Sequence, residues 1–229
     1  MDQTQLATRI AAHEHWFKDN SQGAQLILRD LELRDLDLSA RCLNNAHFEN
    51  VTFAGCNLAG TRMYNTRWNA SKFARCNLDT AHFDQSLAEG TELTDCQAVS
   101  TSFCDISWKV VILRRNRMRQ SRWIKGMMDG FTIADCDLAS SEFRRTTFWT
   151  GTMQGCDICE SDAIRSRWMK VEFRAVDFRN ADFEAARITE SGFAEVFGTP
   201  KSLADVSMEN LYRFDPATGI HTTTSDPWS

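Results

Sequence analysis

Large apolar residues return at every fifth position of this chain, without a break in register, from Leu28 to Phe193. The series opens Leu28, Leu33, Leu38, Leu43, Phe48, Phe53 and closes Phe173, Phe178, Phe183, Ile188, Phe193. Of its 34 positions, 31 are large apolar or aromatic, and the exceptions are Ala88, Ala98 and Ala163. Neither the 3.6-residue period of a helix nor the 2-residue period of a strand generates a strict five. Two places before the large residue stands, in most repeats, a small one, as at Ala46, Cys56, Thr61, Ser71, Cys76 and Cys96. Two inward residues and three polar outward ones describe a chain that turns a corner every five residues.

Four such corners close a square coil of about 20 residues, and a repeat of that length is present. Cys56-Asn57-Leu58, Cys76-Asn77-Leu78 and Cys96-Gln97-Ala98 recur at twenties, then Cys136-Asp137-Leu138 and Cys156-Asp157-Ile158 after one skipped coil. Residues twenty apart therefore stack at the inter-strand spacing of about 4.8 Å, and about 8.5 coils make a rod about 40 Å long. The pattern weakens between 105 and 130, where Ile106, Asn116 and Gly126 take the small position.

These motifs, with Val176-Asp177-Phe178 and Ala181-Asp182-Phe183, resemble the A(D/N)Lxx signature of the pentapeptide-repeat family over residues 24–197. The resemblance implies an all-β solenoid, a right-handed quadrilateral β-helix. An open solenoid exposes its core at both ends, so caps are expected. Residues 1–23 place Leu6, Ile10, Trp16 and Phe17 at helical spacing and predict an N-terminal capping helix. Residues 198–229 predict a C-terminal helix, started by Pro200 and carrying Leu203, Val206, Leu211 and Phe214, then a mobile tail from Asp215. The resemblance also implies a homodimer through the C-terminal segment.

Composition changes this picture little. A net charge of −5 names no partner, and no run of apolar residues is long enough to span a bilayer. The N-terminus lacks a basic head followed by an apolar block, so a cytoplasmic protein with its eight cysteines as free thiols is expected. Catalysis calls for convergent side chains built on loops, and an uninterrupted register leaves no room for them. The five histidines are scattered, and Cys156 and Cys159 fall on opposite sides of the chain in the repeat phase. The stacked cysteines read as small buried hydrophobes, and the aromatic column Phe48, Trp68, Trp108, Phe148, Trp168 reads as core. No enzyme, metal or cofactor is expected.

The outer surface departs from background at one coil. Lys109, Arg114, Arg115, Arg117, Arg119, Arg122 and Lys125 fall in a window with no acid, leaving 19 basic against 31 acidic residues elsewhere. Val110, Ile112, Ile124 and Met127 point outward in the same region, and Trp149 and Met169 share the phase of Lys109. One reading is that Glu92, Asp95, Asp129, Asp135 and Asp137 neutralise this belt from neighbouring coils. The other is a site for another protein, formed by Lys109, Val110, Arg114, Arg115, Arg117, Arg119, Arg122, Lys125, Met127, Trp149 and Met169. A single band of charge without base-reading elements is weak support for direct nucleic-acid binding. The expected function is a non-catalytic protein-interaction scaffold. The resemblance supplies the alternatives: a DNA-mimicking regulator or protector of type II topoisomerase (DNA gyrase), or an accessory of a secretion or effector system.

Overall fold

The computed structural model describes residues 1–228. It is a β-solenoid of about nine turns, preceded by one helix. Residues twenty apart pair in parallel along its length, as in Phe48↔Trp68 and Phe148↔Trp168. Each turn has four faces, numbered here from the segments 46–50, 51–55, 56–60 and 61–65 and their equivalents at every twenty residues. The corner residue has φ between +48° and +67° at every fifth position from Asp30 to Glu195. That left-handed conformation is what bends the chain; glycine, asparagine and aspartate, which enter it most easily, recur there.

The faces are not equivalent. The first and second carry strands, either three residues each (Arg67–Asn69, Lys72–Ala74) or eight running across the corner (Thr147–Gln154, Arg167–Arg174). The third and fourth carry single bridges and turns, and the Asp/Asn of the repeat motif explains the difference. On the third face Asn57, Asn77, Asp137, Asp157 and Asp177 accept a hydrogen bond from the backbone N–H two residues on. Asp162 and Asp182 do the same on the fourth. A side chain bonded to its own chain two residues on imposes a turn.

The interior follows the predicted phase. Phe48 stacks on Trp68 with ring centroids 4.1 Å apart, and Phe148 on Trp168 at 4.0 Å. The small positions do more than leave space. Cys56 donates to the Leu33 carbonyl, Thr61 to Leu38, Thr91 to Trp68 and Ser141 to Met118, each 23 residues back. Ser141 and Ser191 also accept from the backbone N–H twenty residues back, at Ser121 and Val171. The cysteines are thus small buried donors as well as small hydrophobes. Indole N–H groups of Trp68, Trp123 and Trp168 end on Thr66, Ser121 and Ser166.

The stretch where the motif weakens is repaired by complementarity. Asn116 donates from Nδ2 to the Leu93 carbonyl and accepts the Cys96 N–H on Oδ1, reproducing both bonds of a serine. Ile106 is too large for its position, and Gly126 one coil later makes room: a Cβ there would lie 2.9 Å from the isoleucine. Phe131 and Gly151 form a second such pair, with 2.5 Å between a Cβ at Gly151 and the ring.

The helix Gln3–Lys18 is started by a capping box between Asp2 and Gln5 and buries Leu6, Ile10 and His13. Phe17, expected on the same face, stays exposed. Glu14 holds the Arg41 guanidinium through two bonds, and His13 Nδ1 accepts the Leu26 N–H at 3.0 Å. Burial pushes the His13 imidazole below its ordinary value. A proton on Nδ1 would also oppose the Leu26 N–H. With the folded pKa depressed, the contribution of His13 is complete above about pH 6.5 and is lost as pH falls through the folded value. The protection of residues 3–18 against hydrogen exchange, measured relative to the intrinsic rate at each pH, is expected to fall below about pH 6.5. His13→Asn, which keeps an acceptor but does not titrate, is expected to flatten that dependence.

The C-terminal helix is not formed. The chain instead continues the solenoid, with strands Ser207–Glu209 and Tyr212–Phe214 and left-handed corners at Asp205 and Asn210. Leu203 and Met208 extend the five-residue series, and this period prevails over the helical spacing of Leu203, Val206, Leu211 and Phe214. Pro200 occupies a corner, where its ring forbids positive φ, so the turn there is irregular and no helix follows. The tail is also built in. His221–Thr223 pairs antiparallel with Tyr212–Phe214, and Trp228 packs against Phe178, Phe183 and Phe193. Ser229, the end of the expected C-terminal segment, lies outside the described residues. Among the described residues Ser207–Glu209 pairs on one side only, leaving its outer edge open.

Candidate interaction surface

The square section spreads the eleven candidate residues over all four faces. Lys109, Val110, Met127, Trp149 and Met169 lie on the first, Arg114 and Arg115 on the second, Arg117 and Arg119 on the third, Arg122 and Lys125 on the fourth. No flat partner can touch the whole belt. The ladder on the first face runs Glu89↔Lys109↔Asp129↔Trp149↔Met169, so Asp129 separates the lysine from the tryptophan.

Three of the seven cations are neutralised. Arg115 grips Asp95 through two bonds of 2.7 and 2.9 Å, and its hydrogen bonding holds the Asp95 carboxyl below the usual range. Arg119 pairs with Asp137 at 3.4 Å and Arg122 with Glu142 at 3.7 Å. Glu92, expected to serve the belt, pairs with Lys72 instead. Among the described residues Lys109, Arg114, Arg117 and Lys125 make no ion pair.

The apolar part of the surface gathers on the first face. Trp149 is 44% exposed, Met127 39%, Val110 60% and Leu87 44%. Leu87 was not anticipated; it precedes Met127 by two coils in the same column and could have been found by reading exposed phases at twenties. Val110 holds φ +52° at a corner, an unfavourable conformation for a β-branched residue. The first face is thus a flat sheet, its central strands paired on both sides, with exposed apolar side chains in four successive coils.

Residues 32–67 match the family model described as pentapeptide repeats (8 copies), and the register matched there continues through Phe193. The chain is a pentapeptide-repeat protein. No curated protein matches its sequence. Among solved structures it is similar to HetL of the cyanobacterium Nostoc sp. strain PCC 7120, a pentapeptide-repeat protein involved in heterocyst differentiation regulation. That likeness covers 86% of this chain and 92% of that one, at 11% identity and a TM-score of 0.45. A trypsin-treated variant of QnrB1, a plasmid-mediated fluoroquinolone resistance protein, is 17% identical, covering 85% and 93% with a TM-score of 0.44. Rfr23 of the cyanobacterium Cyanothece 51142 is 10% identical, covering 50% and 88% with a TM-score of 0.40.

This pentapeptide-repeat protein is a rod-shaped β-solenoid. Among the described residues, no group of three or more His, Cys, Asp or Glu side chains is placed to hold a metal ion. Burial pushes the Cys156 thiol up to about 12, and burial and nearby acids take Cys159 to about 11, so neither is a thiolate at neutral pH. Among the described residues no helix is long and apolar enough to cross a membrane.

Proposed function

We propose that this protein is a non-catalytic interaction scaffold that docks another protein on its first face. The carrying observation is the cluster of Leu87, Val110, Met127 and Trp149, four large apolar side chains left exposed on a sheet whose core is otherwise closed. Exposed tryptophan and methionine are enriched in the centres of protein interfaces. The third and fourth faces carry stacked carboxylates, Asp137, Asp157 and Asp177 beside Glu142, Asp162 and Asp182. Five of these six are held in ion pairs, which weakens the DNA-mimic reading at this acidic stack. A homodimer belongs to the same proposal: the open edge of Ser207–Glu209 and the exposed Leu203 offer a second copy a strand to extend.

Affinity capture from the native host's lysate tests the docking face, comparing wild type with a Leu87→Asp, Met127→Asp, Trp149→Ala variant. A Gln120→Glu variant, on the opposite face, serves as control. One protein retained by wild type and the control, and lost from the triple variant, is the expected result. Topoisomerase subunits retained by all three would replace this reading with the DNA-mimic one.

A further inference from the structure

Opposite charges stack from coil to coil over most of this rod. Arg29–Glu49, Lys72–Glu92, Asp95–Arg115, Arg122–Glu142 and Lys170–Glu190 are all ion pairs between residues twenty apart. The corner between the fourth and first faces breaks this rule. Lys125, Arg145 and Arg165 stack there in consecutive coils, each exposed and each in the left-handed corner conformation. Arg167 lies beside them, two residues into the first face. Among the described residues none of the four side chains makes an ion pair or a hydrogen bond. The acidic columns also stack like charges, but Arg119, Arg122, Arg144, Arg179 and Lys201 compensate them. Along the basic corner Asp105, one coil before Lys125, makes no ion pair among the described residues, and the column neighbours of Arg145 and Arg165 are Lys125, each other and Ala185. Like charges directly opposite one another in a sheet are destabilising, so the column is not there for stability.

The apolar cluster adjoins this corner. Met127 follows Lys125 by two residues and Trp149 follows Arg145 by four, placing them about 7 and 13 Å across the first face. We propose that the corner and the adjoining face bind an acidic amphipathic helix of a partner protein, lying along the rod axis. This rests on the scaffold reading and names the chemistry of its partner. Three cations in successive coils span about 10 Å. Carboxylates at i, i+3 or i+4, and i+7 of a helix span about 10.5 Å at 1.5 Å per residue. A helix with side chains is about 10–12 Å across, so one helix seated on the first face beside the corner lies between the cations and Trp149, with its apolar stripe over Met127. A duplex nucleic acid fits less well. It is wider than the basic strip, and its uniformly charged backbone offers nothing to the exposed Met127 and Trp149, which the apolar stripe of an amphipathic helix would cover.

The test is selection from a displayed library of random 16-residue peptides, with depletion against an Arg145→Glu, Arg165→Glu variant. Both positions are exposed, and an Arg145→Gln, Arg165→Gln variant guards against a folding defect. The expected peptides carry Asp or Glu at the i, i+3/i+4, i+7 spacing beside an apolar stripe. They are expected to lose at least about ten-fold in affinity on either double variant and on Trp149→Ala, and to weaken as salt rises. Peptides without the acidic period, or binding the charge variants equally well, would overturn the proposal while leaving a docking face intact. A 24-base-pair duplex bound through Arg145 and Arg165, with no acidic peptide selected, would overturn it in favour of nucleic acid.

Discussion

Phe148→Ala is expected to destabilise the rod by about 3–5 kcal/mol, and Trp149→Ala by about 0.5 kcal/mol or less. The two residues are adjacent, aromatic and in the same strand, yet their environments are opposite. Phe148 is fully buried, stacked on Trp168 and edge-on to Phe131 and Phe143. Its removal leaves a cavity that neighbours fixed by coil-to-coil pairing cannot collapse into. Trp149 projects from the first face, so truncation empties no core space. Urea unfolding of both variants is the measurement, read as midpoint shifts because long repeat arrays need not unfold in two states. Equal losses would mean that the assignment of inward and outward positions is wrong.

Asn116→Leu is expected to cost about 2–4 kcal/mol, although it replaces a buried polar residue by an apolar one of similar size. The change strips Cys96 N–H of the acceptor on Asn116 Oδ1 and removes the bond to the Leu93 carbonyl. A buried donor left without a partner costs about 1–3 kcal/mol, and a lost hydrogen bond about 0.5–1.5. Asn116→Ser is expected to retain most of the stability, because Ser141 and Ser191 make the same two bonds in their own coils. Should leucine be tolerated as well as serine, the interior ladder would be a consequence of small size alone, with no energetic role of its own.

The five-residue period made the fold legible because it records which side chains must leave water, and burial is the dominant stabilising term. At the C-terminus the same period runs on past the boundary that the helix signal suggests. Leu203 and Met208 continue it, but the intervening Gly198 and the corner Pro200 hid the continuation behind a helix signal. Small inward residues were recognised by size, whereas their bonds to residues 20 and 23 positions back appear only once coils are stacked. Surface residues were the least legible. A belt of cations contiguous in sequence is wound around four faces, and Arg115 and Asp95 meet only because a coil separates them.

What the sequence alone determined is the interior: the register, the square coil, the stacking of residues twenty apart and the burial of the aromatic columns. A repeat that must close on itself leaves one solution for its inward positions. The tertiary structure decided what lies together outside. It joined Leu87, Met127 and Trp149 on one face, aligned Lys125, Arg145 and Arg165 along one corner, and neutralised part of the basic belt. The physical reason is that outward residues need satisfy only water. Their sequence spacing carries no energetic signature, and neighbourhood arises only when the coils are stacked at about 4.8 Å.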